Sequence, residues 1–273
     1  VTDRLALQGG FRLQYYDDLR SVNGIKNRDK APTWSTQASY DIRDDVMGYV
    51  SYQRSYRPGG RVDPPALLGV SLPDLLAYPD ETSDDIEVGV KATILDGRLN
   101  LNINLYRQEF DGLIGGTQAI TVDSNLDGLF TRFQDGDNLA AFPISNDALA
   151  QGLEFEWQAL LTDELTFSGS LAYNEVRYTG DGRIPCNLFD GIEIFPVGEH
   201  ISTCDIGGKV DEVPPWSLST TVEYTARDWL NWADWSIRGL YNFRDTRPTT
   251  LNTNVDDLGA FGVLNLYAGF KAK

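Results

Sequence analysis

The sequence is poor in the residues that do chemistry. Its 273 residues include two cysteines, one histidine and one methionine. No Ser-His-Asp arrangement, paired-carboxylate motif or phosphate-cradling glycine loop accompanies them. Acid–base and nucleophilic catalysis need such sets within reach of one another, so we expect neither an enzyme nor a cofactor. Basic residues are scarce too. Lys and Arg number 23 against 40 Asp and Glu, a formal charge of −17. A phosphate-binding surface needs a basic patch, which argues against a nucleic-acid partner. No run approaches the roughly 18 apolar residues of a membrane helix. That excludes a helical membrane protein but leaves a transmembrane barrel open, because a barrel strand is apolar only at every second position. Capped stretches of helical period are also missing, apart from a candidate short turn near residues 74–77.

What is present is alternation. In "DGRLNLNINLYRQEF", residues 96–110, Leu99, Leu101, Ile103 and Leu105 take the odd places, and Asn100, Asn102, Asn104 and Tyr106 the even ones. A period of two is a β-strand with one apolar and one polar face. Nine further segments behave alike: "LALQGGFRLQYYD", "TWSTQASYDI", "VMGYVSYQRSY", "DIEVGVKATIL", "GLEFEWQALL", "LTFSGSLAYNEV", "WSLSTTVEY", "WSIRGLYNF" and "GVLNLYAGFKA". The third of the ten along the chain, "VMGYVSYQRSY", is aromatic on both faces, so its orientation stays open. The connections have a rhythm of their own. Short ones ("RDD", "DG", "TDE", "RDWLNWAD") alternate with long ones near residues 17–32, 58–83, 112–147, 179–212 and 246–258. Short turns at one end and long loops at the other mark an antiparallel up-and-down barrel in an outer membrane.

A soluble β-sandwich alternates as well. Two features favour lipid over a protein core. Segments often exceed the usual strand of about 5–6 residues, and their polar faces are nearly continuous Ser, Thr, Asn, Gln and Glu, as a wet lumen requires. Aromatic residues also gather near segment ends: Tyr15, Tyr16, Trp34, Tyr106, Tyr173, Trp216, Tyr224, Trp229, Trp232 and Trp235. Amphipathic rings suit the boundary between headgroups and acyl chains.

Three further features qualify as candidate sites. Cys186 and Cys204 enclose a short irregular stretch with no cluster of additional ligands, which reads as a disulfide, with two unpaired thiols as the alternative; a disulfide implies an oxidising compartment. "DSNLDG" spaces Asp123, Asn125 and Asp127 as oxygen donors before Gly128, like the start of a calcium loop, but Gln134 stands where a bidentate Glu belongs. An Asx-rich turn is the alternative, and His200 reads as an ordinary loop residue. Arg12, Lys91, Glu154, Glu156, Glu223 and Arg238 fall on polar faces and would line the lumen.

At "YVSYQRSYRPGG", residues 49–60, the sequence resembles TonB-dependent outer-membrane receptors. Their pattern Y-x-S-x-S-x-x-Y-R-P-G-G is met by Tyr49, Ser51, Tyr56, Arg57, Pro58, Gly59 and Gly60, with Gln53 in place of the second Ser. The strand pair in "DETSDDIEVGVKATILDGRLNLNINLYRQEFDGLI" resembles the same barrels, as do "LALQGGFRLQYYDD" and "FGVLNLYAGFK". The resemblance implies that residues 1–273 are most of the C-terminal half of such a barrel, without the plug domain, the early strands and the last strands. It implies a Gram-negative outer-membrane location, contact with outer-membrane lipid, energy delivered by TonB, and a scarce ligand: a ferric siderophore first, vitamin B12 or a glycan otherwise. A passive porin is the main rival and a soluble β-rich binding module the lesser one.

Overall fold

A computed structural model describes residues 3–18, 27–61, 77–117, 120–123, 125–126, 138–180, 182–186, 199–205, 210, 213–229, 232–247 and 258–272. Among them there is no helix. Sixteen strands follow one another: β1 (Leu5–Asp18), β2 (Asn27–Arg43), β3 (Val46–Arg57), β4 (Gly60–Arg61), β5 (Ala77–Tyr78), β6 (Glu81–Ile94), β7 (Leu99–Gly116), β8 (Ile120–Val122), β9 (Asn138–Ala140), β10 (Pro143–Leu160), β11 (Leu165–Tyr178), β12 (Arg183–Pro185), β13 (Thr203–Asp205), β14 (Trp216–Trp229), β15 (Ala233–Arg244) and β16 (Phe261–Ala272). The ten long strands form one antiparallel sheet in the order β1-β2-β3-β6-β7-β10-β11-β14-β15-β16. Each neighbour is the next long strand along the chain, so the sheet is an up-and-down wall with β1 and β16 at its edges. The short strands pair as β4–β5, β8–β9 and β12–β13, all within connections at one end of the wall.

Tight turns occupy the other end. Between β6 and β7 the Arg98 N–H donates to the Leu95 carbonyl at 3.1 Å. The two central residues of that turn, Asp96 and Gly97, both have positive φ, 54° and 81°. This is the turn whose twist matches paired strands, and Asp-Gly is its preferred pair. Between β10 and β11 the Thr162 hydroxyl accepts the N–H groups of Glu164 and Leu165. Arg98 bridges the two turns by pairing with Asp163 at 2.9 Å.

Register settles which face each residue takes. Val50, Val88, Leu105, Leu153, Tyr173 and Trp216 lie opposite one another across six strands. The row one residue nearer the tight turns reads Tyr49, Gly89, Asn104, Glu154, Ala172 and Ser217. Burial runs opposite to a soluble protein. Leu105 is 51% exposed and Val88 53%, whereas Asn104 is only 8% exposed. Leu7, Phe11, Ile86, Val222, Ile237, Leu264 and Leu266 are exposed on the same apolar face. From Leu99 to Leu105, Trp216 to Tyr224 and Trp235 to Phe243, that face carries no charged residue. Monomers in water rarely tolerate apolar patches beyond a few hundred Å², so this face is built for lipid.

The aromatic boundary is visible at both levels. Tyr173 stacks near Trp216 at 4.8 Å toward the loop end, and Tyr224 near Trp235 at 5.5 Å toward the turn end. From Trp216 to Tyr224 on β14 is roughly 27 Å along the strand at about 3.4 Å per residue, or about 20 Å along the normal at a tilt of about 40°. That is close to the apolar band of such barrels. Two expected girdle residues are corrected: Tyr16 and Tyr106 belong to the polar face, since parity along β1 and β7 turns them away from lipid.

The strands also run further than the alternation suggests. β2 starts at Asn27, β7 continues to Gly116, β10 begins at Pro143 and β14 reaches Trp229. Alternation fades beyond the lipid because the two faces stop differing. In β10, Ala148, Leu149 and Ala150 are buried in succession, and a bulge lies between Asn146 and Ala148. The loop expected over residues 17–32 therefore shrinks, and "RDWLNWAD" shortens to the residues between Trp229 and Ala233, which pair with each other. Of the turn suggested at residues 74–77, residues 74–76 lie outside the described residues, and Ala77 opens β5.

Candidate functional site: the polar wall and its loop-end rim

The polar face is a ladder of hydrogen bonds between strands, most of them neighbours. The Tyr49 hydroxyl donates to Glu87, and the Gln53 amide donates to Asp85 at 3.0 Å. Ser55 and Ser83 hydroxyls lie 2.7 Å apart, and Gln108 donates to Ser83 at 2.9 Å. Asn102 and Asn104 donate to Glu156 and Glu154 at 3.2 and 3.3 Å. The Tyr106 hydroxyl reaches past Gly152 to Asn174 at 2.6 Å. A side chain at Gly152 would strike the Tyr106 ring, and one at Gly89 the Tyr49 ring. Large rings thus lie flat over cross-strand glycines, which pins register.

Every charged residue expected to line the polar face lies there. Glu154 and Glu156 are held by asparagines from β7. Lys91 stands 5.4 Å from the Tyr49 ring centroid, and Arg238 faces Glu223 at 3.9 Å. They do not converge on one point: Arg12 on β1 and Arg238 on β15 are separated by most of the sheet. A hollow of about 660 Å³ lies between Lys91, Asn102, Glu156, Ser170 and Ser219, and one of about 320 Å³ between Gln37, Tyr49, Gln53 and Glu87. The wall thus offers hydroxyls, amides and carboxylates to a polar occupant.

At the loop end the "YRPGG" residues form a clamp. Arg57 donates to the Ile114 carbonyl at 3.2 Å, and the Ile114 N–H donates to Glu81 at 2.7 Å. Arg57 and Glu81 themselves approach to 3.7 Å. The Gly59 N–H donates to Asp80 at 2.6 Å, and a Cβ at Gly59 would come within 2.5 Å of the Tyr78 carbonyl oxygen. Two strands later, the Asp147 carboxylate accepts the Gly112 N–H at 3.0 Å. The clamp escaped sequence reasoning because its partners lie on three different strands. The only signal was the motif itself.

The remaining candidate residues sit in the connections. Cys186 and Cys204 are disulfide-bonded, with Cα atoms 5.8 Å apart. The Asp123 carboxylate is fully buried and accepts the N–H groups of Asn125 and Leu126 at 3.2 and 2.7 Å, the geometry of an Asx turn. Asp127, Gly128 and Gln134 lie outside the described residues. His200 lies in the β11–β14 connection, and its Nδ1 meets the Asp123 carbonyl at 2.6 Å.

A family model, TonB dependent receptor-like, beta-barrel, matches residues 1–273. The chain belongs to that family. A curated relative, the ferric-pyoverdine 358 receptor of Pseudomonas putida, is 25% identical over 227 residues, 79% of this chain and 24% of the relative. Among solved structures, the ferric yersiniabactin uptake receptor FyuA from Yersinia pestis superposes with a TM-score of 0.67 at 17% identity, covering 100% of this chain and 36% of that one. BauA, the ferric preacinetobactin receptor from Acinetobacter baumannii, gives 0.66 at 15% identity, with 99% and 34% covered. The chain therefore spans about a quarter of the curated relative and about a third of each solved receptor. The inverted wall is the fold of this family: apolar residues outward to lipid, polar residues toward the lumen.

Proposed function

We propose that this chain is part of the wall of an outer-membrane receptor that takes up a ferric siderophore or a similarly scarce chelate, driven by TonB. The observation that carries this reading is the inverted wall, seen along a chain that matches the family throughout. Lipid-facing strands fix the compartment, and a lumen face of amides, hydroxyls and carboxylates provides a wet, non-catalytic passage. The named cargoes of the relatives support an iron chelate as ligand. The test uses the full-length protein. A deletion strain complemented with it is supplied with radiolabelled ferric pyoverdine, ferric yersiniabactin or ferric preacinetobactin, with and without a protonophore. Accumulation of one chelate that stops with the protonophore supports the reading. Accumulation insensitive to it points instead to a passive pore, and no accumulation of any chelate counts against iron as cargo.

A further inference from the structure

The clustered apolar core among the described residues lies outside the barrel wall. Ile120, Val122, Ala140 and Phe142, from the β7–β10 connection, pack with Ile201 from the β11–β14 connection, and all are at most 6% exposed. Ile184 and Cys186 are buried beside the same disulfide. Hydrogen bonds join the two connections. The Asp123 N–H donates to the His200 carbonyl at 2.8 Å, and the His200 ring meets the Asp123 carbonyl across 77 residues of chain. Within each connection the ties are local: Thr117 N–H to Phe142 carbonyl at 2.8 Å, and Cys186 N–H to Ser202 carbonyl at 3.1 Å.

Among the described residues, each connection has one short ribbon of its own. β8–β9 and β12–β13 are pairs of three-residue strands, and isolated two-stranded ribbons are marginal at best in water. Among the described residues, Ile201 is the side chain from outside the β7–β10 connection that packs with the apolar side of the β8–β9 ribbon. Among its described residues the β11–β14 connection supplies Ile201 to that core, and it closes its own loop through Cys186–Cys204. We propose that the described residues of these two connections form a single cooperative unit above the wall, which gains and loses its order as a whole, with the disulfide in one connection maintaining order in the other. The proposal does not depend on the cargo.

Amide hydrogen exchange on the full-length protein in lipid nanodiscs tests it, since members of one cooperative unit lose protection together. Two variants perturb one connection each and are read in the other. C186S/C204S should accelerate exchange at Thr117, Asp123 and Phe142 at least ten-fold. Phe142→Ala should do the same at Cys186 and across β12–β13. Amides of β6 and β7 should stay protected in both, showing that the wall is assembled. If either variant fails to assemble, reduction of the folded wild type with a water-soluble phosphine replaces C186S/C204S, and Phe142→Leu replaces Phe142→Ala. Acceleration confined to the connection carrying the perturbation, in either experiment, overturns the proposal.

Discussion

Enlarging Ile103 distinguishes lipid from protein as the neighbour of the apolar face. Ile103 sits on the apolar face of β7, two residues inside the row of Tyr173 and Trp216, 40% exposed, between Val90 and Phe155 in register. If that surface were the inside of a close-packed core, Ile103→Phe would force neighbours off their rotamers and cost about 1–3 kcal/mol. Against fluid acyl chains there is nothing to strain, so we expect a change within about 0.5 kcal/mol, the range of ordinary surface substitutions. Charge should behave oppositely. Arginine at the midplane of a barrel costs about 2–4 kcal/mol and falls to about 0–1 kcal/mol near the interface. Arg107 already faces outward two residues beyond Leu105 and pairs with Glu109 at 2.7 Å. The cost should therefore fall from Ile103→Arg to Leu105→Arg, and Arg107→Leu should be nearly neutral.

The polar face supplies the control. Asn104→Leu makes the strand more apolar yet should destabilise it, because Asn104 is buried and donates to Glu154 at 3.3 Å. Losing a hydrogen bond to a charged group costs about 1.5–3 kcal/mol. Reversible denaturant unfolding of the full-length protein from phospholipid vesicles gives each difference. Ile103→Phe costing more than about 1 kcal/mol would place that face against protein by the overpacking argument. So would an arginine penalty equal at positions 103 and 105.

Three further outcomes follow from the same geometry. Arg57→Ala removes the donor to the Ile114 carbonyl and leaves Glu81 with one partner fewer, an expected loss of about 0.5–1.5 kcal/mol for so exposed a side chain, read as faster proteolytic nicking near Gly116; unchanged nicking would show that the clamp is not structural. Gly97→Val forces a β-branched residue to φ 81° and should destabilise the β6–β7 turn by at least about 1–2 kcal/mol, measured as a lower unfolding midpoint. Tyr106→Phe loses the 2.6 Å bond to Asn174 while keeping the ring over Gly152, so about 1 kcal/mol is expected; a much larger loss would mean that the hydroxyl anchors more than one partner.

How much of this was legible in sequence follows from where two environments meet. Between Leu99 and Leu105 one face meets lipid and the other water, so every residue reports its side and the alternation is nearly complete. In β3 the same rule falters because tyrosine suits both sides: Tyr49 turns inward to Glu87, whereas Tyr52 turns outward and donates to Asp84 at 2.7 Å. Only register against β6 separates them. Past the lipid the contrast disappears, which is why Ala148, Leu149 and Ala150 carry no strand signal although they are paired in the sheet. The Cys186–Cys204 bond could be read because the two cysteines enclose a short irregular stretch with no cluster of further ligands. Its context could not, since nothing local in "HIST" (residues 200–203) says that Ile201 will cover Phe142. Hydrophobic patterning fixes a face only where the partner is a uniform medium. Where the partner is another loop nearly sixty residues away, the same physics acts, but its information lies in a contact that no window of sequence contains.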